Sequence, residues 1–196
     1  MRDSTLAYYA ENAAAFFEAT VDKPMEQAYR HFLPLVPPGG HILDAGCGSG
    51  RDSRHFKTKG FRVTAFDASP QMAGLAGPHL QQRVHCMEFL QVPWDTEFDA
   101  LWASASLLHL PFGEIAPALR HLVRTLRHGA PFYASFKYGD AEWTKEGRHF
   151  TALNEARLLT LLEAVASLEL LESWLSPDNR PGRNDEMWLN VLMKRR

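Results

Sequence analysis

The chain is 196 residues long, 45% apolar and 22% charged, with 21 basic against 23 acidic side chains and a formal net charge of −2. That is enough chain for one globular domain with a sizeable core. It argues against a polyanion-binding surface: the one run of basic residues is Lys194-Arg195-Arg196, and so short a tail reads as solvation rather than nucleic-acid recognition.

Two helical patterns come first. Tyr9, Ala13, Phe16 and Phe17 share one face, and Met25, Ala28, Tyr29, Phe32 and Leu33 share another. Met1 to Tyr9 has no apolar run of the kind a signal peptide needs. Pro34, Pro37, Pro38, Gly39 and Gly40 close the second helix. From there the patterns alternate. Strands are predicted near 41–45, 61–66, 84–88, 98–104 and 131–136, with helices near 51–59, 70–76 and 114–127 between most of them. The last of these helices carries Ile115, Leu119, Leu122, Val123 and Leu126 as its apolar stripe and ends on Arg127, His128 and Gly129.

A further helix is expected near 153–166, and residues 146–150 read as a loop over the pocket. Strands near 168–175 and 187–193 follow, separated only by Ser176 to Gly182, so they should pair antiparallel. The order implies an α/β fold, a three-layer α/β/α sandwich around a mixed seven-stranded sheet with a C-terminal antiparallel hairpin. It would be a single domain, with 1–38 as a helical cap and 39–196 as the core. The stretch Leu101 to Phe112, broken by His109 and Pro111, is too short to span a bilayer. Cys47 and Cys86 each fall in an apparent core element and read as reduced, packed thiols of a cytoplasmic protein. Nine scattered histidines, with no His-Glu-x-x-His or Cys-x-x-Cys, give no metal site.

The chemistry concentrates in residues 42 to 50, Ile-Leu-Asp-Ala-Gly-Cys-Gly-Ser-Gly. Ile42 and Leu43 are strand-like. Gly46, Gly48 and Gly50 let the backbone turn tightly and approach a ligand. Asp67 closes the next strand, at the sheet edge where ligands sit, and could accept both hydroxyls of a ribose. A nicotinamide fingerprint needs a glycine where Arg51 stands, and Asp44 would repel a dinucleotide phosphate. An acid there suits an ammonium or sulfonium, both of which S-adenosylmethionine carries, without any phosphate.

Leu43 to Gly50 resembles the first motif of the class I S-adenosylmethionine-dependent methyltransferases, whose core is Rossmann-like. Phe66-Asp67-Ala68-Ser69 resembles their ribose-binding acidic loop, and Met87-Glu88-Phe89 the segment beside the adenine. Phe98 to Ala103 is similar to their fourth strand, and Leu126 to Ala130 to the turn into the fifth. The segments Gly50-Arg51-Asp52-Ser53, Ser104 to His109 and Trp188-Leu189-Asn190 are similar to small bacterial tellurite-resistance-like methyltransferases. The resemblance implies a cofactor site of Asp44, Ala45, Gly46, Gly48, Gly50, Arg51, Asp67, Ala68, Ser69, Met72, Met87, Glu88, Phe89, Ala103, Ser104 and Ala105, with Tyr9 from a lidding N-terminal helix. Glu88 departs from the Asp usual at its position.

Methyl transfer from a sulfonium needs little from the protein beyond placement and dryness, so a catalytic base need not be visible. His109, at the end of the fourth strand, is the candidate base; a packed histidine is the plain alternative. Lys137, Arg148, Arg180 and Arg183 are candidate substrate-binding residues that could converge on a small anionic acceptor. Trp143, Trp174 and Trp188 either line an apolar cavity or, for the last two, fill the sheet faces. A nicotinamide-dependent oxidoreductase and a non-catalytic nucleoside-binding module stay open as rivals. No nucleic-acid or membrane partner is expected.

Overall fold

A computed structural model describes residues 2–23, 25–178 and 186–196. Helices α1 (Arg2–Thr20) and α2 (Glu26–Phe32) precede β1 (His41–Ala45), α3 (Arg51–Thr58), β2 (Arg62–Asp67), α4 (Pro70–Leu80), β3 (His85–Cys86) and β4 (Ala100–Ala103). Then come α5 (Phe112–Arg124), β5 (Pro131–Tyr138), β6 (Glu142–Lys145), β7 (Arg148–Leu153), α6 (Glu155–Ala164), β8 (Leu168–Pro177) and β9 (Met187–Arg195).

Strands β3, β2, β1, β4 and β5 lie side by side in that order, all parallel. β9 runs antiparallel along β5 and carries β8 antiparallel on its far side. Those seven strands are the predicted mixed sheet with its C-terminal hairpin. Chain order reverses between β1 and β4, so their carboxyl ends open a crevice that the topology leaves free for a ligand.

Period-two alternation decides which helix each strand faces. Leu101 and Ala103 of β4, with Phe132, Ala134 and Phe136 of β5, join the cluster under α5 and α6. Trp102 and Tyr133 point the other way, stacked on each other at 3.9 Å, against Tyr29, Phe32 and Phe56 of α2 and α3. Each ring buried on that side is worth roughly 1.5–3 kcal/mol of transfer free energy. Helix starts follow local chemistry. The Ser69 hydroxyl accepts from the Met72 N–H at 3.2 Å ahead of Pro70, and the Asn154 side chain accepts from the Arg157 N–H at 3.0 Å.

Two expectations need correcting. Residues 146–150 are not a free loop. β6 and β7 form an antiparallel hairpin with Lys145 opposite Arg148, so Glu146-Gly147 is a two-residue turn. Both residues have positive φ, 52° and 80°, the backbone that twists with the flanking strands. β7 then pairs with β5 beyond the end of β4, through Lys137–Ala152 and Tyr138–Leu153, which raises a wall over the crevice. Cys86 is not packed: it ends a two-residue edge strand and is exposed, whereas Cys47 is buried. Among the described residues no helix is long and apolar enough to cross a membrane.

Candidate active site

The glycine turn is held from below by main-chain bonds. The N–H groups of Gly46 and Cys47 both donate to the Phe66 carbonyl at 2.9 Å, tying β1 to the end of β2. Gly46 has φ 78°, and a Cβ there would lie 2.5 Å from that of Ser106, so no side chain fits. The Asp67 carboxylate takes one N–H from Gly48 and one from Ser69, each at 2.9 Å. Burial raises its pKa, and those two donors oppose the rise. Each oxygen keeps a lone pair, enough for two ribose hydroxyls.

A second acid sits deeper. Asp52, in the first turn of α3, receives Arg51 in a two-pronged pair at 2.7 and 2.9 Å, the Tyr29 hydroxyl at 2.5 Å and the Trp102 Nε1 at 2.8 Å. Burial alone would raise it, but Arg51 and these donors hold it below the ordinary carboxylate value. Asp44 differs. It accepts from the Ser53 hydroxyl at 2.6 Å, and burial together with the charge of Asp52 pushes its pKa up.

These elements border one cavity of about 580 Å³, within the range of small-molecule sites. Of the residues expected at the cofactor, Tyr9, Gly46, Gly48, Arg51, Asp67, Ala68, Ser69, Met72, Met87, Glu88, Phe89, Ser104 and Ala105 line it. Asp44, Ala45, Gly50 and Ala103 do not line it and are buried. Glu88 caps its own short turn, accepting from the Gln91 backbone while the Gln91 amide oxygen accepts from the Glu88 N–H at 2.9 Å. Ala105 has φ 50°, a strained backbone at the end of β4, and its N–H is fixed by the Ser135 hydroxyl at 2.9 Å.

The far side of the cavity is aromatic. Trp143 of β6 stacks on Phe150 of β7 at 5.5 Å, and both line it with Leu6, Leu108 and Leu110. Trp174 and Trp188 line it too, so they do more than fill sheet faces. Helix α1 crosses above. It is pinned at one end by the Thr5 hydroxyl accepting from the His149 N–H at 3.0 Å, and at the other by Thr20 bonding Ser49 at 3.1 Å.

Two of the four candidate cations, Lys137 and Arg148, are already paired. Lys137 contacts Asp178 at 2.8 Å and also Glu186, and its ammonium lies 4.2 Å from the Trp188 ring centroid. Arg148 contacts Glu146 at 2.7 Å and covers the Tyr8 ring at 4.0 Å. Arg180 and Arg183 lie outside the described residues. His109 is half-buried: its Nδ1 meets the His149 carbonyl at 2.7 Å and its Nε2 meets the Tyr9 hydroxyl at 3.0 Å. Burial drives its pKa down to about 4. Among the described residues no group of three or more His, Cys, Asp or Glu is gathered to hold a metal.

Sequence reasoning missed Thr5, Leu6, Phe16 and Thr20 of α1 as cavity residues, and Ser106 beneath Gly46. The α1 positions carried a usable signal, since the Tyr9–Phe16 face was legible as apolar. Nothing local marks Ser106.

Residues 42–129, a little under half of the chain, match the family described as "Methyltransferase domain". The 2-methyl-6-phytyl-1,4-hydroquinone methyltransferase of Synechocystis sp. is 26% identical over 180 residues, 88% of this chain and 52% of that one. Among solved structures, the Burkholderia thailandensis 1,6-didemethyltoxoflavin-N1-methyltransferase superposes with a TM-score of 0.82 at 22% identity, over 99% of this chain and 88% of that one. A TehB-like methyltransferase from Corynebacterium glutamicum gives 0.71 at 21% identity, over 97% and 98%. The chain spans about half or less of the length of the curated relatives it matches. The sheet order and the crevice define a Rossmann-like methyltransferase fold. The matched segment and the glycine turn facing Asp67 are similar to those of the class I S-adenosylmethionine-dependent methyltransferases and support that assignment.

Proposed function

We propose that this protein is a cytoplasmic enzyme that methylates a small, planar acceptor with S-adenosylmethionine. The observation that carries this reading is one cavity with two unlike ends. The glycine turn and the doubly bonded Asp67 form one, and the stacked Trp143 and Phe150 form the other.

The residues fit the cofactor. Asp67 would hold the ribose through its spare lone pairs, and the Gly46 to Gly48 backbone leaves the space a side chain would fill. Met72, Met87 and Phe89 would flank the adenine, while Ser104 and Ala105 would sit beneath the methionine end. Asp44 would act on the ammonium from behind the turn, directly or through water, and the segment 1–38 would cap the site. When bound, S-adenosylmethionine supplies an activated methyl group, and the chemistry is the cofactor's. The chain contributes position and the exclusion of water. The aromatic wall orients a flat ring, and α1 covers both.

A small-molecule acceptor agrees with the likeness to a hydroquinone methyltransferase and to a 1,6-didemethyltoxoflavin methyltransferase. An anionic acceptor has weaker support. Lys137 faces two carboxylates and Arg148 faces Glu146, so neither offers an uncompensated charge. Thermal shift tests the class. S-adenosylmethionine and S-adenosylhomocysteine should both raise the melting temperature by linkage, and NAD should not. Stabilisation by NAD alone would overturn the assignment.

A further inference from the structure

Two hydrogen bonds above β4 settle where one hydrogen lies. The His149 carbonyl oxygen can only accept, so His109 Nδ1, 2.7 Å away, carries the ring hydrogen. With the ring kept neutral by burial, Nε2 is a bare lone pair. The Tyr9 hydroxyl 3.0 Å from it must therefore donate. Burial also holds that phenol protonated, at about 12. The only hydrogen of Tyr9 is committed to His109, and the oxygen is left with lone pairs alone.

The charged and titratable neighbours do not change this assignment. From α1, Tyr8 packs edge-on against Tyr9 at 5.5 Å. From β7, Arg148 bonds and attracts Tyr9, which occupies one of the two lone pairs, and His149 and Arg148 both disfavour a charged His109. From β2, Asp67 disfavours a charged Tyr9. Tyr9, His109 and Arg148 line the cavity together. The Arg148 Nε is buried and has no partner among the described residues, while the charge of that side chain is met by Glu146. At this point of the cavity Tyr9 Oη thus offers an acceptor and no donor, beside an Arg148 charge that Glu146 meets.

We propose that Tyr9 is a specificity-determining residue that accepts a hydrogen bond from the methyl acceptor. The site then selects a neutral molecule bearing an O–H or N–H, and rejects the same molecule once ionised. This rests on the methyltransferase reading above. His109 acts as a positioning residue: it fixes the direction of the Tyr9 hydrogen. An ionised phenol or deprotonated ring nitrogen would face the Tyr9 lone pairs and find no hydrogen there.

The test uses 4-nitrophenol, which ionises near neutral pH and absorbs differently in its two forms. It is titrated into the full chain saturated with S-adenosylhomocysteine, at pH values on both sides of that ionisation. The wild type should bind the neutral form about tenfold more tightly than the phenolate. Tyr9→Phe should lose most of that preference. In His109→Ala the freed hydroxyl can turn its hydrogen to the cavity, and the preference should invert toward the phenolate. A packing role alone would weaken both forms equally and leave their ratio unchanged. Tyr9→Phe deletes one oxygen and keeps the ring against Phe16, so it carries the test if His109→Ala fails to fold. Equal or tighter phenolate binding by wild type, binding of neither form, or an unmoved ratio in Tyr9→Phe overturns the proposal and leaves the methyltransferase reading standing. If the wild type binds no S-adenosylhomocysteine, it is the methyltransferase reading that falls.

Discussion

The two ends of the cavity are built by different means. At the glycine turn the contacts are near in sequence: the Gly48 N–H reaches Asp67 across 19 residues, and the Ser69 N–H reaches it across two. At the aromatic wall they are distant: Tyr9 meets His109 across 100 residues, and the His149 N–H meets the Thr5 hydroxyl across 144. A backbone cradle recognises features that do not vary, such as a ribose. A wall assembled from three separate segments can be altered one side chain at a time, which suits the half of the site that must choose an acceptor.

The largest effect should come from breaking the cradle itself. Gly46→Ala places a Cβ 2.5 Å from that of Ser106, on a backbone at φ 78°. Ser106 cannot retreat freely, because its hydroxyl donates to the Ala45 carbonyl at 2.7 Å. Strain and overpacking together should cost about 2–5 kcal/mol and abolish measurable S-adenosylmethionine binding. Thermal melting with calorimetry checks both. A variant that binds with wild-type affinity would mean that the turn is not the cradle.

That contrast also explains what could be read from the chain. The β1–β2 unit was legible because its signal is local: an apolar run, glycines at fixed intervals, an acid closing the next run. The C-terminal hairpin was legible from two strand patterns with no helix between them. The β6–β7 hairpin was not, because Glu146-Gly147 is a weaker turn signal than Asn-Gly and the flanking residues mix charge with aromatics. Asp178 was among the acids the sequence offered as a neutralising partner, whereas the contact of Lys137 with Glu186, 49 residues away across the β5–β9 ladder, was hidden. His109 was legible as following the fourth strand, but its contacts with α1 and β7 are a product of topology.

The next effect probes the distant side through pH. His109 drops from an ordinary 6.5 to about 4 on folding, so the folded state binds fewer protons than the unfolded one between those values. Stability is therefore lost as pH falls through that window, by at most about 3 kcal/mol from this residue. His109→Gln should lose correspondingly less stability than wild type between neutral pH and about pH 4, as read by urea unfolding. Identical acid sensitivity would mean that His109 is not held neutral by its surroundings.

Asp67→Ala should weaken S-adenosylmethionine by about 1.5–3 kcal/mol, roughly ten- to hundredfold, because it removes a charge-assisted acceptor. It also strands the N–H groups of Gly48 and Ser69, so some stability should fall with it. Asp67→Asn keeps an acceptor and should recover part of both losses. If calorimetry finds affinity unchanged in both variants, the ribose is held elsewhere.

The smallest effect should fall on the side that chooses the acceptor. Trp143 lies on β6, 37% exposed, with its indole parallel to Phe150 within 15°. An exposed stacked ring contributes little to stability, and Trp143→Ala should cost under about 1 kcal/mol in unfolding. It also lies far in sequence from the cradle and shares no bond with Asp67, so cofactor affinity should stay within about twofold. What it should change is the apparent acceptor constant, raised roughly three- to tenfold for a flat ring that stacks there, with kcat nearly kept. That split separates a wall that binds the acceptor from one that takes part in chemistry. If kcat falls with no change in the acceptor constant, Trp143 orders the reacting groups instead. If S-adenosylmethionine affinity falls as well, the two ends of the cavity are coupled, and the contrast between local cradle and assembled wall does not extend to function.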